Sequence, residues 1–202
     1  MEAVEVSHET LTRLLAGATT EAALVSGAMC VYRVLPILYW EASPEQYESL
    51  ARPELWAPET LPDRVAAVLD GLRDGIDSER FAELPEEIEE VYAMASEMIL
   101  RYFVDGAETG EWADWCSTLI LDIHQQLDEI LSEGDASEGS VFLAAGQNPD
   151  LTPLEEAELG DQISTLVRLG ETDPESRRSV LGIAVQGHAR TRAALEQAIQ
   201  SL

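Results

Sequence analysis

Residues 85–103 read PEEIEEVYAMASEMILRYF, and the spacing of their apolar side chains decides the fold class. Ile88, Val91, Tyr92, Ala95, Met98, Ile99, Tyr102 and Phe103 recur at three- and four-residue steps, while Glu86, Glu89, Glu90, Glu97 and Arg101 lie largely off that stripe. That period belongs to an amphipathic helix with one buried face. Residues 111–131 repeat the device with Trp112, Trp115, Cys116, Leu119, Ile120, Ile123, Leu127 and Ile130. In the last stretch, 174–202, the stripe is Leu181, Ala184, Val185, His188, Leu195, Ile199 and Leu202. No run of strict alternation bounded by turn residues competes with these helices.

Helix openings support the same reading. Ser43-Pro44, Thr152-Pro153 and Asp173-Pro174 each place a capping side chain before a proline that needs no donor at the first helical position. Gln46 and Glu155, three places after Ser43 and Thr152, complete capping boxes. Thr60-Leu61-Pro62-Asp63 and Leu84-Pro85-Glu86-Glu87 are similar openings with early acids that suit the helix dipole. Further helices are expected near residues 8–16, 20–42, 44–51, 61–74 and 153–169, the last closed by Gly170. Pro36 is expected to kink the second of them, since it removes a backbone donor and crowds the preceding turn. The one long connection, 132–150, is rich in Gly, Ser and Asp around the apolar run Val141 to Ala145, so it is expected to be mobile or pinned by that run. The fold class is therefore all-α: one domain over residues 1–202, a bundle of about seven or eight helices.

The charge limits the function. The chain of 202 residues has 39 acids against 12 basic residues, all arginine, and a net charge of −27. At 46% hydrophobic it can still bury a core, so wholesale disorder is excluded. Nucleic acid and anionic membrane surfaces are poor partners for such a chain, because both require cationic surface. Residues 22–39 are the most apolar stretch, but Arg33 and Pro36 interrupt them, which favours a buried helix over a membrane span. The acidic N-terminus does not resemble a secretory signal, so a cytoplasmic setting is expected, with Cys30 and Cys116 as free thiols. Residues 1–150 hold 31 acids and 7 arginines, whereas residues 151–202 hold 8 acids and 5 arginines. Arg177, Arg178, Arg190 and Arg192 make the last helical stretch locally basic, either to pack on an acidic body or to dock an acidic partner. The absence of lysine, alongside the single Asn148, fits codon bias; salt adaptation and an acidic binding face are the competing readings.

Several constellations carry possible chemistry. Glu86-Glu87-x-x-Glu90, followed by Glu111-x-x-Asp114, resembles the acids of the all-helical MazG-type nucleotide pyrophosphohydrolases, and Glu158-Leu159-Gly160-Asp161 is similar to a second stretch of that family. The resemblance implies Mg²⁺ held by acids one helical turn apart on facing helices. With 27 Glu and 12 Asp, chance produces such spacings about as often as they occur, and the family's lysine is absent. Solvated helix faces are the favoured account of these acids. Glu5-x-x-His8 is the one match to a di-iron motif, at a terminus. His124 and Asp128 lie one turn apart and could pair; His188 falls on an apolar stripe as a core histidine would; Cys30 and Cys116 sit in apolar helices as inert packing residues. No nucleophile elbow, phosphate loop or zinc spacing is present, so no catalytic residue and no cofactor are expected.

Cys30-Val31-Tyr32-Arg33-Val34-Leu35-Pro36 with Tyr39 resembles the Cys-x-Glu-Arg-x-x-Pro-x-Tyr stretch of the YjaG-like bacterial helical family. Val91-Tyr92 and Pro153-x-x-Glu156-x-Glu158-x-x-x-Gln162 occur in similar order. Tyr32 replaces the family's glutamate, the spacing to Tyr39 is one residue longer, and the family's closing Ser-Asn-Ile-Gly is missing. The resemblance implies an all-helical fold of this length and no particular activity.

The leading expectation is a non-enzymatic acidic helical protein that binds a basic protein, in the manner of an immunity protein or inhibitor. Its interface is expected at Glu86, Glu87, Glu89, Glu90 and Asp114, with Trp112 as an anchor if it is exposed. The alternative is the Mg²⁺-dependent pyrophosphohydrolase, with Glu86, Glu87, Glu90, Glu111 and Asp114 as metal ligands.

Overall fold

Ser7 and Thr19 each stand one residue ahead of a helix and accept from a first-turn amide, Thr10 N–H and Ala22 N–H, that has no partner within the helix. They open α1 (His8–Gly17) and α2 (Thr20–Val34). A computed structural model describes residues 4–38, 47–48, 50, 52, 59–73, 76, 84–104, 108–134 and 151–202. It continues with α3 (Leu61–Arg73), α4 (Glu86–Leu100), α5 (Thr109–Gly134), α6 (Pro153–Gly170), the short α7 (Pro174–Arg178) and α8 (Val180–Ser201). Short 3₁₀ turns, Leu35–Leu38 and Arg101–Phe103, extend α2 and α4. The described residues contain no strand, and the architecture is an all-α bundle. The helix expected at 44–51 falls largely outside the described residues, as do Ser43-Pro44, Tyr39 and residues 135–150 of the long connection; α5 itself continues to Gly134.

The axis of the bundle is α2. Every residue from Leu24 to Leu38 is buried, and α5, α8, α6, α3 and α4 all pack on this rod. By length and hydropathy Thr20–Leu38 could cross a bilayer, but 94% of that window is enclosed by the other helices. Closest approach is to α5 at Gly27. A Cβ there would lie 2.8 Å from the Trp112 ring and 3.1 Å from the Ala113 Cα, so only hydrogen fits. Trp112 is the wedge at this crossing. Its indole N–H donates to Met98 O at 2.8 Å, and Tyr102 meets its ring edge-on with centroids 4.8 Å apart. The Tyr102 hydroxyl in turn donates to Pro62 O at 2.8 Å, which joins α3 to the same cluster.

Pro36 does more than kink a long helix. The α-helix ends at Val34 and the backbone tightens into the 3₁₀ turn. Lacking an N–H, Pro36 leaves the Tyr32 carbonyl unserved, and His188 Nδ1 on α8 occupies it at 3.1 Å. The buried face of α8 also differs from the expected stripe. Ala184 and Leu195 of that stripe are buried, but Val185, Ile199 and Leu202 are exposed, and Val180, Gly187, Thr191, Ala194 and Ala198 turn inward as well. Small residues let α8 lie close to α2.

Two devices start the C-terminal half. Asp128 on α5 accepts from Leu154 N–H at 2.7 Å and so serves the N-terminus of α6 from a neighbouring helix. Asp173 accepts from the Glu175 and Ser176 amides to cap α7, and these bonds lower its carboxyl pKa. A smaller apolar cluster of Leu11, Leu121, Leu151, Leu159, Ile163 and Leu166 fixes α1 to α6, apart from the main core.

Gly27→Ala is expected to lower stability by about 1–3 kcal/mol through overpacking, despite alanine's better helix propensity. Gly182→Ala, at an open position on α8, is expected to be neutral or stabilising. Urea unfolding of the two variants checks this; a Gly27→Ala protein as stable as the parent would show that α2 and α5 do not touch there.

Candidate functional site

An arginine inside the most apolar helix must bring its own counter-charge. Arg33 finds it in Glu158, the sixth residue of α6, and neither side chain has any solvent exposure. Nε donates to both carboxylate oxygens at 3.1 and 2.9 Å, and Nη2 donates to Oε1 at 2.6 Å. Nη2 also donates to the Cys30 thiol at 3.3 Å. Burial works against the guanidinium charge, but Glu158, with smaller help from Cys30 and Asp161, outweighs it and holds Arg33 protonated above its ordinary range. Burial likewise pushes the Cys30 thiol up to about 12, although Arg33 pulls the other way; Cys116 is raised by burial too. Both cysteines are free, buried and unreactive as thiolates.

The third wall is α8 at Gly187. A Cβ there would collide with the Arg33 aliphatic stem and come within 3.0 Å of Asp161 Oδ2. Asp161, one turn beyond Glu158, pairs with Arg190 at 2.6 Å at the edge of this seam. His124 of α5 lies fully buried on the other side. Its Nδ1 donates to Ile120 O at 2.8 Å, which leaves Nε2 facing the Thr191 hydroxyl at 3.0 Å. Burial lowers the His124 pKa, and Glu158 opposes that only in part, with Arg190 and Arg33 adding to the lowering. The ring is therefore neutral near pH 7. Ser117 and Gln162 complete the seam with a reciprocal pair of hydrogen bonds at 2.5 and 3.1 Å.

These polar groups are committed to one another. The expected His124–Asp128 pair does not form: His124 turns to Thr191, and Asp128 to Leu154 N–H. His188 is half-buried, held between Tyr32 O and Arg192, whose Nη2 lies 3.5 Å from Nε2. The basic C-terminal element packs on the body, with Arg190 on Asp161 and the Arg177 Nε on Glu171 O.

Glu86, Glu87 and Glu90 are exposed at the start of α4, and Glu89 is half-buried. They precede Met98, the residue of α4 that meets Trp112, by eight or more residues, roughly 12 Å along that helix, whereas Glu111 and Asp114 are exposed at the start of α5 beside Trp112. The five acids proposed for Mg²⁺ thus do not converge, and no group of three or more His, Cys, Asp or Glu among the described residues is placed to hold a metal. Trp112, expected as an interface anchor if exposed, is 1% exposed and belongs to the core. Glu158, grouped in the sequence with solvated acids, is the buried partner of Arg33.

The residue pairing the sequence reasoning missed is Arg33 with Glu158. The signal was Arg33 itself, a charge within an apolar helix with nothing nearby to neutralise it. On α6, Glu158 also shares a face with the buried Gln162, Thr165 and Leu169, at steps of four, three and four. No family model matches the chain, and none of the curated proteins or solved structures compared with it is similar. Cys30, Arg33, Glu158 and Gln162 all lie in this seam.

His124 sets a pH response. Its folded pKa is lowered from the ordinary 6.5, so the unfolded chain binds the extra proton first and stability falls as pH drops below that value. The parent is expected to lose more stability than His124→Asn between about pH 7.5 and 5.5, with carboxylate effects common to both. Urea midpoints at the two pH values measure the difference; parallel losses would mean that the ring is not buried neutral.

Proposed function

We propose that the chain is a non-enzymatic acidic helical protein that binds a basic protein, in the manner of an immunity protein or inhibitor. One observation carries this reading. Glu86, Glu87, Glu89 and Glu90 crowd the opening turns of α4, and none makes an ion pair among the described residues. The helix dipole favours each of these carboxylates singly, but they repel one another, and a cationic partner would relieve that repulsion. Charge complementarity of this kind speeds encounter and selects basic partners more than it adds affinity.

The test is retention of proteins from the source lysate on the immobilised chain at low ionic strength. A basic protein is expected to bind, to elute by about 0.5 M salt, where the screening length has fallen to a few ångströms, and to be lost with Glu86→Gln/Glu87→Gln/Glu90→Gln. Retention that ignores both salt and these substitutions would overturn the reading.

A further inference from the structure

We infer that the groove between α1 and α5 receives an amphipathic helix of a basic partner protein, with its apolar stripe on the floor and its cations along the α5 wall. The assignment rests on the basic-partner reading above and adds an apolar contact to the charged one at α4. The groove runs beside the smaller apolar cluster, in which Leu11 of α1 and Leu121 of α5 pack with residues of α6. It encloses about 510 Å³, with Leu11, Leu15 and Leu121 on its floor. A volume of that order accommodates a ligand-sized apolar group.

The two walls are helical ridges. On α5 the residues Gly110, Asp114, Thr118 and Asp122 follow one another at four-residue steps, all lining the groove, with Asp114, Thr118 and Asp122 exposed. On α1 His8, Thr12 and Ala16 do the same. Ridges of this kind are built to take a third helix between them, read as anchors at three- and four-residue spacing. The α1 wall is ten residues long, roughly 15 Å, or about three turns of a guest helix.

Charge selects the guest. Asp114, Asp122 and Glu155 line the groove and no arginine does. Neither Asp114 nor Asp122 makes an ion pair among the described residues, whereas Glu155 pairs with His8 at 3.5 Å and accepts from Thr152 N–H. An apolar floor edged by unpaired carboxylates complements an apolar stripe edged by lysine or arginine. The other large surface hollow, about 630 Å³, is lined by Arg13 and Arg177 as well as Glu21 and has no such single sign.

The probe is a synthetic fifteen-residue helix with leucines at positions spaced 3, 4 and 7 apart and lysines on either side. It is titrated into the isotopically labelled full chain and followed by amide shifts. Shifts confined to Leu11, Leu15, Asp114, Thr118 and Asp122 are expected. The exposed variants Thr118→Arg and Asp114→Asn/Asp122→Asn should each weaken binding by about tenfold or more, with an unchanged melting temperature. A version of the probe with glutamate in place of lysine should not bind. Shifts confined to Glu86, Glu87 and Glu90 would overturn the groove assignment while leaving the basic-partner reading in place. Equal binding of a probe with serine in place of leucine, or the same shifts appearing on concentrating the chain alone, would also overturn the groove. No binding of the lysine probe anywhere would count against both.

Discussion

Arg33 has no solvent exposure in the most apolar helix of the chain, and its charge is tolerated there because Glu158 meets it with three hydrogen bonds. Two ions withdrawn from water rarely gain much net stability from each other. They do penalise every arrangement in which one is buried without the other. The partners are 125 residues apart, so the pair fixes α2 against α6 in a single register. Around that fixed point the rest follows. Gly187 brings α8 against the Arg33 stem, and Pro36, one turn further along, frees the Tyr32 carbonyl that His188 of α8 then occupies. The last helix is thus keyed to α2 twice, by a missing side chain and by a missing amide hydrogen.

The seam around this pair is built largely from groups that hold one another. Arg33 and Glu158 hold each other, His124 joins α5 to α8, and the cysteines fill space in the core, Cys30 directly beside the pair. What the fold leaves available is outside. The opening of α4 and the α5 wall of the groove present carboxylates that make no ion pair among the described residues, while Arg33 and Arg190 are committed to the body.

Much of this architecture was legible from periodicity. The stripes of α4 and α5 are strong because their buried residues are large, and Trp112 on the second stripe lies in the core as its position there demands. The face of α8 was misread for the opposite reason. Its buried residues are mostly Gly, Ala and Thr, which carry little hydrophobic signal, while Val185 and Ile199 point outward. Glu158 was hidden among 27 glutamates, since a local pattern does not distinguish the one carboxylate that must enter the core. Of the residues that line the proposed groove, the sequence reading had singled out Asp114 as a candidate contact. It could not place α1 opposite, because that juxtaposition is made by α6, far along the chain.

The most direct measurement is a double-mutant cycle on the buried pair, with Arg33→Met, Glu158→Leu and the two combined, followed by urea unfolding. Each single substitution strands a buried charge and is expected to lose about 3–5 kcal/mol, whereas the combined variant should recover at least about 2 kcal/mol of the summed loss. Strictly additive losses, or a Glu158→Leu protein as stable as the parent, would contradict the claim that this one contact determines how the helices are assembled.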